Sequence, residues 1–268
     1  MSVERGVSPG HPRAESIRIR EKLTGQVETG VVALAGLIAH GRGEAFDYLI
    51  GERTIQSAER AVTAAAAALL LAEHAVISVN GNLAALCPKD TVDLYVVTGA
   101  MLEVNLFHRL PGRDEAIKRR LVEAGAITVY GVGEDASARL DEINSERRRV
   151  DPRGILAADT VLVPLEDGDR TEALRRMGKT VITIDLNPLS RTARAASITI
   201  VDNIVRAMPL LVSETRRMKG FSRDELMRTV SGFSNGRALS DALCSIRRRL
   251  KEMEEKGVIV ELSERAAN

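Results

Sequence analysis

Apolar positions along the chain fall into two periods. Arg13 to about Val27 carries Ile17, Leu23 and Val27 on one stripe after His11-Pro12, which predicts a helix. Gln56 to Ala72 is apolar on nearly every side, as expected of a helix packed deep against a sheet. Short β-branched runs then alternate with helical stretches: 75–79, 102–104, 127–130, 160–163, 181–184 and 197–201. The intervening helices, Arg113 to Ala124 and Thr171 to Met177, each end at a glycine, Gly125 and Gly178, where a C-terminal cap belongs. The pattern predicts a Rossmann-like α/β fold: a mostly parallel sheet of about six strands with helices on both faces and helical additions at both ends. The expected division is an N-terminal helical segment over 1–72, the α/β core over 73–219 and a C-terminal helical extension over 220–268. In the extension, Leu239, Leu243, Ile246, Leu250 and Met253 share a heptad-like face.

Composition narrows the function classes. Lys+Arg total 38 against 37 Asp+Glu, a net charge of +1, and aromatics make up 3 % with no Trp. No nucleic-acid coat or base-stacking platform is expected. Arg247-Arg248-Arg249 runs straight into Glu252, Glu254 and Glu255, the pattern of a solvated face. Met1 to Arg20 has no apolar run, so no secretory leader is expected, and Ala61 to Ala72 is too short to cross a membrane. Cys87 and Cys244 stand alone and are expected to be reduced, mostly buried thiols of a cytoplasmic protein.

Open α/β sheets bind ligands beyond the carboxyl ends of their strands. Five of the six ends carry polar clusters: Asn80-Gly81-Asn82, Asn105, Glu166-Asp167-Gly168-Asp169-Arg170-Thr171, Asp185-Leu186-Asn187-Pro188-Leu189-Ser190-Arg191-Thr192, and Asp202-Asn203; the remaining end is Gly131-Val132-Gly133. Any one of these is equally well a turn or a helix cap, but six small or polar strand ends in a row point to a site. Asp185-Leu186-Asn187 matches an acidic residue that takes ribose hydroxyls, and Arg191-Thr192 supplies phosphate donors. Neither G-x-G-x-x-G nor G-x-x-x-x-G-K-[ST] is present, so a nucleotide would be held by scattered arginines and loop amides. Gly36 to Tyr48 reads as a glycine loop in which Arg42 forks onto an anion and His40 acts as a base or a structural hydrogen bonder. No H-E-x-x-H or His cluster points to a metal site built by the protein alone.

The strings GLIAHGRGEAFDY (36–48), SVNGN (78–82), LEVNLF (102–107), VPLEDGDRTEA (163–173), IDLNPLSRT (184–192) and IVDN (200–203), together with IREKL (19–23), resemble the archaeal phosphopantothenate synthetases, or 4-phosphopantoate:β-alanine ligases. The resemblance runs from about Arg13 to Pro209. It implies an ATP-dependent ligase of coenzyme A biosynthesis that releases AMP and diphosphate through an acyl-adenylate, with 4-phosphopantoate and β-alanine as substrates, Mg²⁺ carried by ATP, and a homodimer. By position it places Arg20, Arg42, Asp185, Leu186, Asn187, Arg191, Thr192, Asp202 and Asn203 around ATP. Side-chain chemistry adds His40, Arg42, Asn80 and Asp169 as candidates for catalysis. Asn80, Asn82 and Asn105 are candidates to orient the acyl group. Glu166, Asp167 and Asp169 are candidates to hold Mg²⁺ or the β-alanine ammonium. The alternatives are a non-catalytic ATP sensor and another Rossmann-like nucleotide-dependent transferase or oxidoreductase.

Overall fold

The computed structural model describes residues 13–165 and 167–257. Its centre is a five-stranded parallel sheet of β1 (Ala75–Val79), β2 (Met101–Val104), β5 (Thr160–Pro164), β6 (Thr180–Ile184) and β7 (Ile198–Ile200), in the order β2-β1-β5-β6-β7. A small antiparallel hairpin, β3 (Ala138–Arg139) and β4 (Arg149–Val150), interrupts the alternation before β5. The expected sixth strand at 127–130 does not form. Ile127 is 87 % exposed in the turn after helix α6 (Arg113–Glu123), and only Tyr130 reaches the sheet, bridging to Glu103 on β2.

The strands alternate as a doubly covered sheet requires. Val76, Val161, Val163 and Val181 face a core shared with Ala173 and Leu174 of α7 (Gly168–Arg176) and with Leu140, Ile143, Val150 and Ile155 of the hairpin region. Ile77, Leu162, Ile182 and Ile184 face the other way. There they meet α3 (Gln56–Leu71), α4 (Gly81–Leu86), α5 (Pro88–Thr98), α6 and α9 (Ile204–Met218). Alanines 64 to 68 of α3 are all buried, and their small side chains let the helix lie close to its neighbours.

The N-terminal helices α1 (Ala14–Thr24) and α2 (Leu34–Ile50) come to the carboxyl edge of this sheet. The expected glycine loop is therefore mostly helix: Gly36, Gly41 and Gly43 all lie inside α2. Glycine costs a helix about 0.5–1 kcal/mol per residue, which is tolerated where packing requires it. At Gly36 it does, because a Cβ would lie 2.6 Å from Asn82 Oδ1.

The C-terminal helices α10 (Arg223–Ser231) and α11 (Asn235–Lys256) pack back on the chain, α10 against α3 and α11 against α2 and α3. The heptad face divides accordingly. Leu239 and Ile246, with Ala238 and Ala242, are buried within the chain, whereas Leu243 and Leu250 are exposed. Cys87 is buried and Cys244 is exposed, so only one of the two thiols is in the core as expected. Among the described residues no helix is long and apolar enough to cross a membrane.

Candidate active site

From β1 the chain steps outward to β2 and later returns to the other side of β1 as β5, so the strand order reverses between β1 and β5. Loops diverge at such a switch point and leave a crevice. A cleft of about 350 Å³ lies there, floored by Asn80, Gly81 and Asn82 and walled by α2. Gly36, Ala39, His40 and Gly43, three or four residues apart across one face of α2, form the wall, and the small Gly36, Ala39 and Gly43 keep the cleft open.

The floor asparagines are occupied in building the cleft. Asn80 caps α4, its Oδ1 accepting from Leu83 N–H at 3.0 Å, and its Nδ2 donates to Pro164 O at 3.0 Å, tying the ends of β1 and β5 together. Asn82 Nδ2 donates to Gly36 O at 2.9 Å and holds α2 over the floor. Asn105, expected to orient an acyl group, is fully buried instead. Its Nδ2 donates to Arg147 O and Arg149 O, and its Oδ1 accepts from Arg170 Nη1 at 2.7 Å, so it has no face toward a ligand.

At the β6–β7 end the cleft meets Asp185, Leu186, Asn187, Asp202 and Asn203. Asp185 closes its own turn, Oδ1 accepting from Asn187 N–H at 2.9 Å and Oδ2 from Ser190 Oγ at 2.5 Å. Asp202 Oδ2 accepts from Thr54 Oγ1 at 2.6 Å, and its Oδ1 takes two bonds from Arg206. Arg206 also reaches Asp47, a buried carboxylate on α2 that accepts from Asn203 Nδ2 at 2.8 Å. Burial raises the Asp202 pKa while Thr54 and Arg206 hold it down. This network of two acids and one arginine locks α2 to the end of β7.

The β2 end is cationic. Phe107, His108, Arg113 and Arg147 line it, and Arg170 lies fully buried behind, its Nε 2.6 Å from Asp167 and its Nη1 donating to Ser78 Oγ at 2.6 Å. Asp167 also pairs with Arg147. The Asp167 carboxylate, expected to hold Mg²⁺ or an ammonium, thus already sits between two guanidiniums; Glu166 lies outside the described residues. Among the described residues no three His, Cys, Asp or Glu side chains converge to hold a metal.

Arg20, Asp169, Arg191 and Thr192 lie off the cleft lining. Thr192 Oγ1 accepts from Asp167 N–H at 2.7 Å. Arg20 is held by Glu44 and Arg191 by Asp169 and Glu172, both arginines well exposed. His40 and Arg42 do line the cleft, and burial lowers the His40 pKa, which keeps the ring neutral at pH 7.

Residues 57–249 match the family described as phosphopantothenate/pantothenate synthetase, a span covering most of the chain. The chain belongs to the phosphopantothenate/pantothenate synthetase family. Curated relatives carry the name 4-phosphopantoate–β-alanine ligase. The protein of Thermococcus kodakarensis is 55 % identical over 94 % of this chain and 96 % of its own length. That of Thermococcus onnurineus is also 55 % identical, over the same shares. The Methanosarcina mazei protein is 53 % identical over 91 % of this chain and 95 % of its own.

The site has residues that the strand-end argument missed: Arg113 and Arg147 line the cleft, and Arg206 and Asp47 lie behind its Asp202-Asn203 edge. Arg206 was accessible from spacing, since it stands four residues after Asp202 at the start of a helix. Asp47 was hidden in a stretch expected to be mostly loop. Arg147 sits in a run of three arginines with no periodicity, and nothing in that run marks the one that turns inward. Arg113 carried a signal: it opens α6, where the helix dipole disfavours a cation.

Proposed function

We propose that the chain joins 4-phosphopantoate to β-alanine using ATP, with release of AMP and diphosphate. One observation carries this: a cleft across the switch point of the sheet, with Asn and Asp loops at one end and guanidiniums at the other, in a chain at least 46 % identical to ligases of that name. The pantoate carboxylate attacks the α-phosphorus and diphosphate departs; the β-alanine amine then attacks the acyl carbon and AMP departs. Mg²⁺ arrives with the nucleotide and neutralises its phosphates. The protein's own part is to position and to exclude water. Asp185 to Asn187 and Asp202-Asn203 take the nucleoside, while Arg42 faces the phosphates and stabilises charge developing between them. His40, neutral, serves as a hydrogen-bonding partner within the same wall. Arg20 and Arg191 are exposed donors that exchange their carboxylate partners for phosphate when the nucleotide binds, and Thr192 fixes the loop behind them.

The enzyme acts in the cytoplasm as a homodimer on this reading. Leu34 and Ile38, one turn apart on α2, are 69 % and 73 % exposed beside the cleft and supply an apolar patch for a second copy. Incubation with ATP, Mg²⁺ and both acceptors tests the activity. AMP and diphosphate should appear in equal amounts and only with both acceptors present; ATP bound without turnover, or ADP as product, would overturn the proposal.

A further inference from the structure

A second groove, of about 380 Å³, lies between the turn that joins α2 to α3 and helix α11, and it shares no lining residue with the cleft. Arg53, Arg60 and Arg248 line it, and Asp241 is the one carboxylate in the lining. Asp241 pairs with Arg60. Arg53 and Arg248 are exposed and have no acid partner among the described residues. The amino end of α3 opens into the same groove, where Gln56 and Ser57, its first two residues, form part of the lining. Ile55 stands at the N-cap and no side chain caps the helix, so the positive end of the α3 dipole is uncovered. The amides of Ala58 and Glu59 both turn back to Ile55 O, whereas those of Gln56 and Ser57 find no acceptor among the described residues. The carboxyl end of α2 also comes near, but it has its own cation. Arg249 packs over Gly51 there, where a Cβ would lie 3.0 Å from the guanidinium.

The hydroxyls in the groove sharpen this. Thr54 Oγ1 donates to Asp202 Oδ2 at 2.6 Å and Ser245 Oγ donates to Asp241 O at 2.9 Å, so both are in use. Ser57 is only 4 % exposed, yet its Oγ has no hydrogen-bond partner. A buried hydroxyl without a partner is costly, and this one stands in the first turn of α3 beside two free amides. We propose that the groove is a second ligand site, separate from the cleft, which binds a phosphate group at the amino end of α3. The Gln56 and Ser57 amides and the Ser57 hydroxyl donate to its oxygens, while Arg53 and Arg248 flank it. Phosphate suits this donor set because it brings several acceptor oxygens and a double negative charge against two unneutralised guanidiniums. Asp241 stays with Arg60 and forms the wall. The groove is larger than one phosphate, so it has room for free phosphate and for the phosphate of a nucleotide. Nothing in this assignment depends on the ligase reading, since the site is outside the cleft and its donors come from α3, α11 and the turn before α3.

Amide NMR of the full-length, isotope-labelled protein tests this, with inorganic phosphate titrated in at constant ionic strength. The Gln56 and Ser57 amides should shift and saturate, and an equal titration with chloride should leave them in place; this measurement needs no variant to fold. A parallel titration with AMP separates the two sources: tighter binding than inorganic phosphate at the same amides assigns the nucleotide, and equal or weaker binding assigns free phosphate. Ser57→Ala should weaken phosphate binding about tenfold, as expected for loss of one hydrogen bond to a charged group. The double variant Arg53→Gln/Arg248→Gln should weaken it by about the same factor, and both replaced side chains are exposed, so the fold is retained. Three results would each overturn the site: shifts that chloride reproduces, phosphate shifts confined to cleft residues such as Asn82, or a Kd at the α3 amides unchanged in both variants. Absence of ligase turnover would leave the result at Ser57 untouched and would count against the ligase reading alone.

Discussion

Glu103 is the clearest titrating group in the fold. It lies fully buried on β2, where Oε1 accepts from Asp151 N–H at 3.1 Å and Oε2 from Ile155 N–H at 2.5 Å, clamping the segment between the hairpin and β5. Burial raises its pKa from the usual 4.5 to about 7, against the two N–H donors and the charge of Arg170. The folded chain therefore holds a proton there that the unfolded chain releases. Stability from this group is complete below pH 4.5 and is lost as pH rises to about 7. At about 1.4 kcal/mol per unit, the window is worth about 3 kcal/mol. Glu103→Gln removes the titration. Its amide turns an N–H toward one of the two backbone donors and so carries a cost of about 1–3 kcal/mol at every pH. Urea unfolding of both proteins at closely spaced pH values gives the difference in stability, from which groups common to both cancel. The wild-type advantage should shrink by about 3 kcal/mol between pH 4.5 and 7. A difference that stays flat across that window would refute the reasoning.

Further outcomes follow from the same geometry. Gly41→Ala should stabilise the protein by about 0.5–1 kcal/mol, since a Cβ there meets nothing within 4 Å. Gly36→Ala should instead destabilise it by about 1–3 kcal/mol by displacing Asn82, and paired urea titrations separate the two. Asp47→Ala leaves Arg206 and Asn203 without their shared acceptor and should cost about 3 kcal/mol, read as a lower Tm. Arg191→Ala removes an exposed side chain and should leave Tm unchanged while raising KM for ATP several-fold, measured by steady-state kinetics.

The sheet was legible because β-branched runs and glycine-capped helices have distinct periods, and five of six expected strands form. Tyr130 shows the limit: four β-branched or aromatic residues look like a strand, but at the edge of the sheet only one finds a partner. The Gly36–Tyr48 stretch misled for a different reason. Glycine spacing alone does not separate a loop from a helix whose glycines face Asn82 and Leu186. At the site, polar residues at strand ends were placed correctly in sequence, yet their hydrogen bonds divide them. Asp185 and Asn80 line the cleft while building its turns, whereas Asn105 is spent entirely inside the protein. The buried arginines were least visible, because their position depends on loops that carry no repeat.

The central claim is that the acyl carboxylate is activated by adenylation in this cleft. Supplying 4-phosphopantoate with heavy oxygen in its carboxylate, together with ATP, Mg²⁺ and β-alanine, tests it in one measurement. The account predicts that one heavy oxygen is transferred to AMP for each amide formed. Heavy oxygen found in inorganic phosphate, with ADP as the nucleotide product, would contradict it.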